Sequence, residues 1–142
     1  MKKILVVLIA IPMFIGTIGL ICSSCGSGNS DKSATGTLAP KVFAEQLKEN
    51  PEIILLDVRT PEELASGYLK GARNLDFNAP GFQDSVKALD PSKTYFVYCA
   101  SGKRSGKAME MMQSMGFQKV AALDGGIRMW NANGLPIEQP NQ

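Results

Sequence analysis

No histidine occurs anywhere in the 142 residues of the chain. A His-dependent triad, a His-metal site and a histidine general base are all excluded, so any nucleophile must be activated by other means. An excess of charge of one sign is missing too. The 15 Lys and Arg stand against 13 Asp and Glu, a formal net charge of +2, and no run of cations marks a whole face. Composition therefore gives nucleic-acid binding no support. Cysteine is scarce, with three residues in all, at Cys22, Cys25 and Cys99. No internal repeat is present, and the length suits one domain rather than two.

What is there begins with a segment that does not read as fold. Lys2-Lys3 precede an apolar stretch from Ile4 to Ile21, broken by Pro12, Gly16 and Gly19, and Cys22-Ser23-Ser24-Cys25-Gly26 follows. This pattern predicts an export signal over 1–24; the alternative is an uncleaved anchor, because the stretch is just long enough to span a bilayer. Its end resembles a bacterial lipoprotein signal, in which a cysteine after small residues is lipidated and becomes the mature N-terminus. Cys25, behind Ser23 and Ser24, fits that position better than Cys22 behind bulky Ile21. The departure lies three residues before Cys25, where Cys22 stands in place of Leu or a similar residue. The expectation is an exported domain of the cell envelope or periplasm, tied to a membrane by a lipid on Cys25 or by a retained anchor. Cys22 and Cys25 also form a C-x-x-C, but no second ligand pair exists and the motif abuts the signal. With Cys25 lipidated, Cys99 is the single free thiol of the mature protein. In an oxidising compartment an unpaired thiol is a liability unless its reactivity is wanted.

Residues 25–36 are rich in Gly and Ser, almost without apolar side chains, and predict a flexible tether. A folded domain is expected over 37–142. Pro40 to Glu49 carries Val42, Phe43 and Leu47 as a helical stripe behind a proline in the first turn. Ile53 to Asp57 is a short continuous apolar run, the pattern of a strand buried on both faces. Thr60-Pro61-Glu62-Glu63 opens a short helix, with Thr60 as cap and Glu63 reaching back. A short strand at Ala72 to Leu75 and a helix from Gly81 to Leu89 are expected next. Tyr95 to Tyr98 is the clearest buried strand. Ser105 to Met115 predicts a helix closed by Gly116, with Met109, Met111, Met112 and Met115 as its core-facing stripe. Lys119 to Leu123 reads as a strand and Ile127 to Trp130 as a short helix, with Asp124 a turn former between them and Trp130 a packing residue. Strands alternating with helices predict an α/β domain with a largely parallel central sheet flanked by helices.

Cys99 ends the Tyr95–Tyr98 strand, and in open α/β sheets ligands bind beyond the carboxyl ends of strands. After it, Ala100-Ser101-Gly102-Lys103-Arg104 runs into a helix N-terminus. Backbone N–H groups in such a turn converge on an anion, and the helix end adds partial positive charge. Gly102 permits a tight bend, and Lys103 and Arg104 add cations. Each feature favours thiolate over thiol, which is activation without histidine. The bland alternative is a buried structural cysteine, since free cysteine is among the most buried residue types.

Four stretches together resemble the successive motifs of a single-domain rhodanese. They are Asp57-Val58-Arg59-Thr60-Pro61-Glu62-Glu63, Gly67-Tyr68-Leu69-Lys70-Gly71-Ala72-Arg73-Asn74, Cys99-Ala100-Ser101-Gly102-Lys103-Arg104-Ser105, and Asp124-Gly125-Gly126 with Trp130 and Gly134-Leu135-Pro136. The resemblance covers roughly Thr37 to Glu138. It implies a sulfurtransferase of the thiosulfate sulfurtransferase class, in which the Cys99 thiolate takes the outer sulfur of thiosulfate or a similar anionic donor as a persulfide and passes it to cyanide, a thiol or a protein acceptor. It places the active loop at Cys99 to Arg104. The backbone amides of Ala100 to Arg104 would cradle the persulfide, and Lys103 or Arg104 would hold the anionic donor. Asp57 and Arg59 are candidates for the pocket rim, or for an ion pair that fixes the turn before Thr60. Tyr68-Leu69-Lys70 departs from the His-Ile-Pro that the family often has there, which bears on the rim rather than on the catalytic loop. No metal or organic cofactor is implied. A cysteine phosphatase or arsenate reductase would need a loop one residue longer between cysteine and arginine. The remaining alternative is a non-catalytic or relay module that carries or senses persulfide sulfur for a partner protein.

Overall fold

The computed structural model describes residues 35–140. The segment expected as an export signal, 1–24, the expected lipidation site Cys25 and nearly all of the expected 25–36 tether lie outside the described residues. Among the described residues no helix is long and apolar enough to cross a membrane. Strands and helices alternate as β1 Gly36–Leu38, α1 Pro40–Glu49, β2 Ile54–Asp57, α2 Pro61–Leu64, β3 Arg73–Asn74, α3 Phe82–Lys87, β4 Tyr95–Tyr98, α4 Lys103–Ser114, β5 Val120–Leu123 and α5 Gly126–Ala132.

The five strands form one sheet in the order β1-β5-β4-β2-β3, and every pairing is parallel. Because side chains alternate across a strand, β4 feeds two cores at once. Tyr95 and Val97 point into one with Leu56, Val120, α3 Phe82 and Val86, and α4 Ala108 and Met112. Phe96 and Tyr98 point into the other with α1 Phe43, α5 Ile127 and Trp130. Burial on both faces is why the central strands read as unbroken apolar runs. The methionines of α4 and its cap Met115 belong to the first core, Met112 inside it and Met109, Met111 and Met115 packed against it. Trp130 is buried, with its ring edge-on to Phe43 and its indole N–H donated to the Pro136 carbonyl at 3.0 Å.

Two expectations need correction. The tether does not extend to Gly36, because Gly36, Thr37 and Leu38 pair with Ala121, Ala122 and Leu123 as an edge strand. Three residues of mixed polarity carry no period of their own, and only β5 makes them a strand. The helix expected from Ser105 begins at Lys103, so Lys103 and Arg104 form its first turn rather than a loop ahead of it. The helix after Thr60, expected to end near Gly67, stops at Leu64; the other interior elements lie within a residue or two of their expected bounds, and α1 and β4 match them.

Asp57 and Arg59 do not line a pocket rim. They are 0% and 2% exposed, and Arg59 Nη2 lies 2.6 Å from Asp57 Oδ2. The guanidinium also donates to the carbonyls of Glu63 and Gly67 at 3.1 and 2.9 Å, and it lies over the Tyr98 ring at 5.5 Å. The pair thus ties the end of β2 to the far side of α2. Desolvating two charges is costly, but removing one partner from a buried pair is costlier still, because the other charge stays buried alone. Arg59→Ala is expected to lower the unfolding free energy by about 3–5 kcal/mol, read as a fall in the urea midpoint with an unchanged slope. A loss under 1 kcal/mol would show that the pair adds little to the fold.

Candidate active site

The sheet order places β4 between β5 and β2, so the chain leaving Tyr98 emerges at the middle of the carboxyl edge. Cys99 is the first residue beyond the strand. The following loop is held by backbone on backbone: Ile127 N–H donates to the Cys99 carbonyl at 2.8 Å and Arg128 N–H to the Ala100 carbonyl at 3.2 Å. Glycine makes this approach feasible. Gly126 has φ +59°, and a Cβ there would fall within 2.7 Å of the Ala100 carbonyl carbon and oxygen. Gly102, at φ +87°, turns the loop into α4 with the Gly125 nitrogen 3.2 Å from where its Cβ would be. The Gly125-Gly126 pair therefore supplies a surface with no side chain against which the cysteine loop is moulded.

The Cys99 sulfur sits inside this turn. Gly102 N–H donates to Sγ at 3.1 Å, and Ser105 Oγ, on the first turn of α4, lies 3.5 Å away. Burial pushes the Cys99 thiol up, but the Ser105 hydroxyl and the amides of Ser105, Ser101 and Arg104 turned toward the sulfur outweigh it, and the net shift is downward. Of the loop amides, it is that of Gly102 that donates to Sγ at full hydrogen-bond geometry. Cys99 itself is 0% exposed, whereas Ser101 and Lys103 face solvent.

The structure separates the two cations that the loop sequence places side by side. Lys103 is exposed and makes no ion pair among the described residues. Arg104 turns to α2, where Nη1 and Nη2 donate to Glu63 Oε2 and Oε1, both at 2.7 Å. Such a forked pair is geometrically specific as well as charged. Glu63 also accepts the Thr60 N–H at 3.1 Å, so one carboxylate starts α2 and clasps the active loop. The hydrogen bonds from Arg104 hold its carboxyl down at about 2. Arg104 is raised in turn, first by Glu63 and then by the field of Cys99. Glu63 reads from sequence only as a helix-capping residue, and Ser105 only as the start of a helix. The adjacent Ser in Cys-x-x-Gly-x-Arg-Ser was the available signal for the latter; nothing local signals the former.

Comparison with known proteins places this geometry in a family. A family model described as the rhodanese-like domain matches residues 39–133. A sulfurtransferase of Allochromatium vinosum is 32% identical over 98 residues, covering 69% of this chain and 90% of that protein. A thiosulfate sulfurtransferase GlpE of Ectopseudomonas mendocina is 32% identical over 89 residues, covering 63% and 79%. An uncharacterized protein, slr1261, of Synechocystis is 34% identical, but the chain spans only 54% of its length. Among solved structures, the polysulfide-sulfur transferase homodimer of Wolinella succinogenes is 30% identical with a TM-score of 0.63, covering 76% of this chain and 81% of that one. The chain belongs to the rhodanese-like family. Its fold is the single rhodanese-like α/β domain, and its relatives include named sulfurtransferases.

Because the folded-state value for Glu63 lies below its usual 4.5, the clasp stabilises the fold above the unfolded-state value. That contribution is lost as pH falls from about 4.5 toward 2. Glu63→Gln is expected to remove this acid-sensitive part of the stability and to flatten the wild-type decline in Tm across that window. Thermal melts at stepped pH read it, and an unchanged slope in the variant would show that the clasp contributes nothing.

Proposed function

We propose that the protein moves a sulfane sulfur from thiosulfate or a similar anionic donor to a thiophilic acceptor through a persulfide on Cys99. The observation that carries this reading is the sulfur itself. A thiol with a lowered titration point lies at the carboxyl edge of the sheet with a loop N–H 3.1 Å away. Its activation comes from hydrogen bonds and helix-end charge, so no histidine is needed.

In the first half-reaction the Cys99 thiolate attacks the outer sulfur of thiosulfate. The new Sγ–S bond forms as the bond to the sulfite sulfur breaks, and sulfite leaves with the electron pair. The persulfide keeps one negative charge, which the loop amides stabilise as oxyanion donors stabilise charge in acyl transfer. In the second half-reaction cyanide or a thiolate attacks the outer sulfur and Cys99 departs as thiolate. The exposed cation suited to draw in an anionic donor is Lys103, since Glu63 engages Arg104. Because Cys99 has no exposed surface, part of the chain around it must yield for the donor to reach it. A relay role, in which the acceptor is a partner protein, uses the same persulfide. We also infer from the Lys2–Gly26 pattern that the domain works at the cell envelope, anchored through Cys25.

The full chain incubated with excess thiosulfate is expected to gain one sulfur atom by intact mass, and Cys99→Ser is expected to gain none. Cyanide should remove the adduct. An adduct from a persulfide donor but not from thiosulfate would point to the relay. No adduct from either would overturn the reading and leave Cys99 a structural thiol.

A further inference from the structure

Ser105 is 0% exposed, and its one hydroxyl proton faces two acceptors. Its oxygen lies 3.5 Å from Cys99 Sγ and 3.1 Å from the Gly102 carbonyl oxygen, and a hydroxyl can make one full donation at a time. The two acceptors differ in how they change during sulfur transfer. The carbonyl stays neutral throughout. On the persulfide reading the sulfur attacks the donor as a thiolate, is a bridging atom with little charge in the persulfide, and becomes a thiolate again once the acceptor has taken the outer sulfur. Charge-assisted hydrogen bonds are roughly twice as strong as neutral ones, so the preferred partner of the hydroxyl changes with the state of the sulfur.

We propose that Ser105 is a catalytic residue of the discharge step, a switching donor that turns from the Gly102 carbonyl to Cys99 Sγ as that sulfur leaves. The inference rests on the persulfide reading above and deepens it. In discharge the acceptor thiolate or cyanide bonds to the outer sulfur, the Sγ–S bond breaks, and its electron pair returns to Sγ as the Ser105 proton swings toward it. No net proton is moved, and the negative charge passes from the attacking group to Cys99. In the persulfide the Gly102 carbonyl keeps the buried hydroxyl satisfied, where an orphaned donor would be costly.

The two half-reactions respond in opposite senses. Stabilising a thiolate leaving group speeds its departure, whereas the same bond lowers the nucleophilicity of the attacking thiolate and offsets part of the gain in thiolate fraction. The two roles can be separated by measuring loading and discharge independently. Gly102 N–H also donates to the sulfur, so Sγ retains a donor when Ser105 is removed.

The test uses full chains of the wild type, Ser105→Ala and Ser105→Thr. Each is loaded with thiosulfate above the thiol titration midpoint, freed of donor, and discharged with cyanide, with persulfide followed by intact mass. Ser105→Ala is expected to load within about twofold of wild type and to discharge about tenfold more slowly. Its midpoint for iodoacetamide alkylation should rise, and Ser105→Thr should restore both. Comparing two rates within one variant cancels any loss of folded protein. Equal changes in loading and discharge would make Ser105 merely structural and overturn the proposal, as would no change in either. If the wild type itself takes up no sulfur, the functional reading fails first; if it loads and Ser105→Ala discharges at the wild-type rate, the switching donor alone is wrong.

Discussion

The active loop is shaped by two backbone hydrogen bonds, from Ile127 N–H to the Cys99 carbonyl and from Arg128 N–H to the Ala100 carbonyl. These bonds cross from the start of α5 to the end of β4, and they require two main chains to approach closer than any Cβ would allow. Gly126 satisfies that requirement by having none. With the Cys99 and Ala100 carbonyls turned toward α5, the Gly102 N–H is left to point at the sulfur and α4 starts from Gly102. The thiol environment is thus set by a neighbour on the adjacent strand's continuation as much as by the residues around the cysteine.

A second constraint acts from the other side. Asp57 and Arg59 fix the turn after β2, which positions α2, and α2 presents Glu63 to Arg104. The buried pair and the half-buried pair differ in what they can do. The first is dry and stays closed with the fold, because opening it would leave a charge without water. The second, with side chains 24% and 33% exposed, can exchange its partners for water. On the proposed function, a loop around a reactive thiol is served by one fixed ion pair and one that can open to water.

Much of this architecture was legible in the chain before any coordinates. The continuous apolar runs marked β2, β4 and β5 because strands buried on both faces cannot alternate. Pro40 and Thr60-Pro61 marked helix starts because their backbone preferences are local. Cys99 stood out because a strand, a tight turn and a helix start meet at one thiol. The edge strand β1 was not legible, since its three residues become a strand only by pairing with β5. The roles of Asp57 and Arg59 were legible only as alternatives, and burial decided between rim and ion pair.

The sequence by itself determined the interior element types, the family resemblance, the position of the candidate nucleophile and the exclusion of histidine chemistry, because each is carried by composition or by short local motifs. Tertiary structure alone decided which cation is free and which is engaged, for Arg104 meets Glu63 across 41 residues of chain. It also decided that Ser105 shares its proton between the sulfur and a carbonyl, a matter of ångströms in a folded helix turn. Contacts that depend on sheet order and helix docking leave no periodic trace in a single chain, because the partners are chosen by the packing of the whole domain.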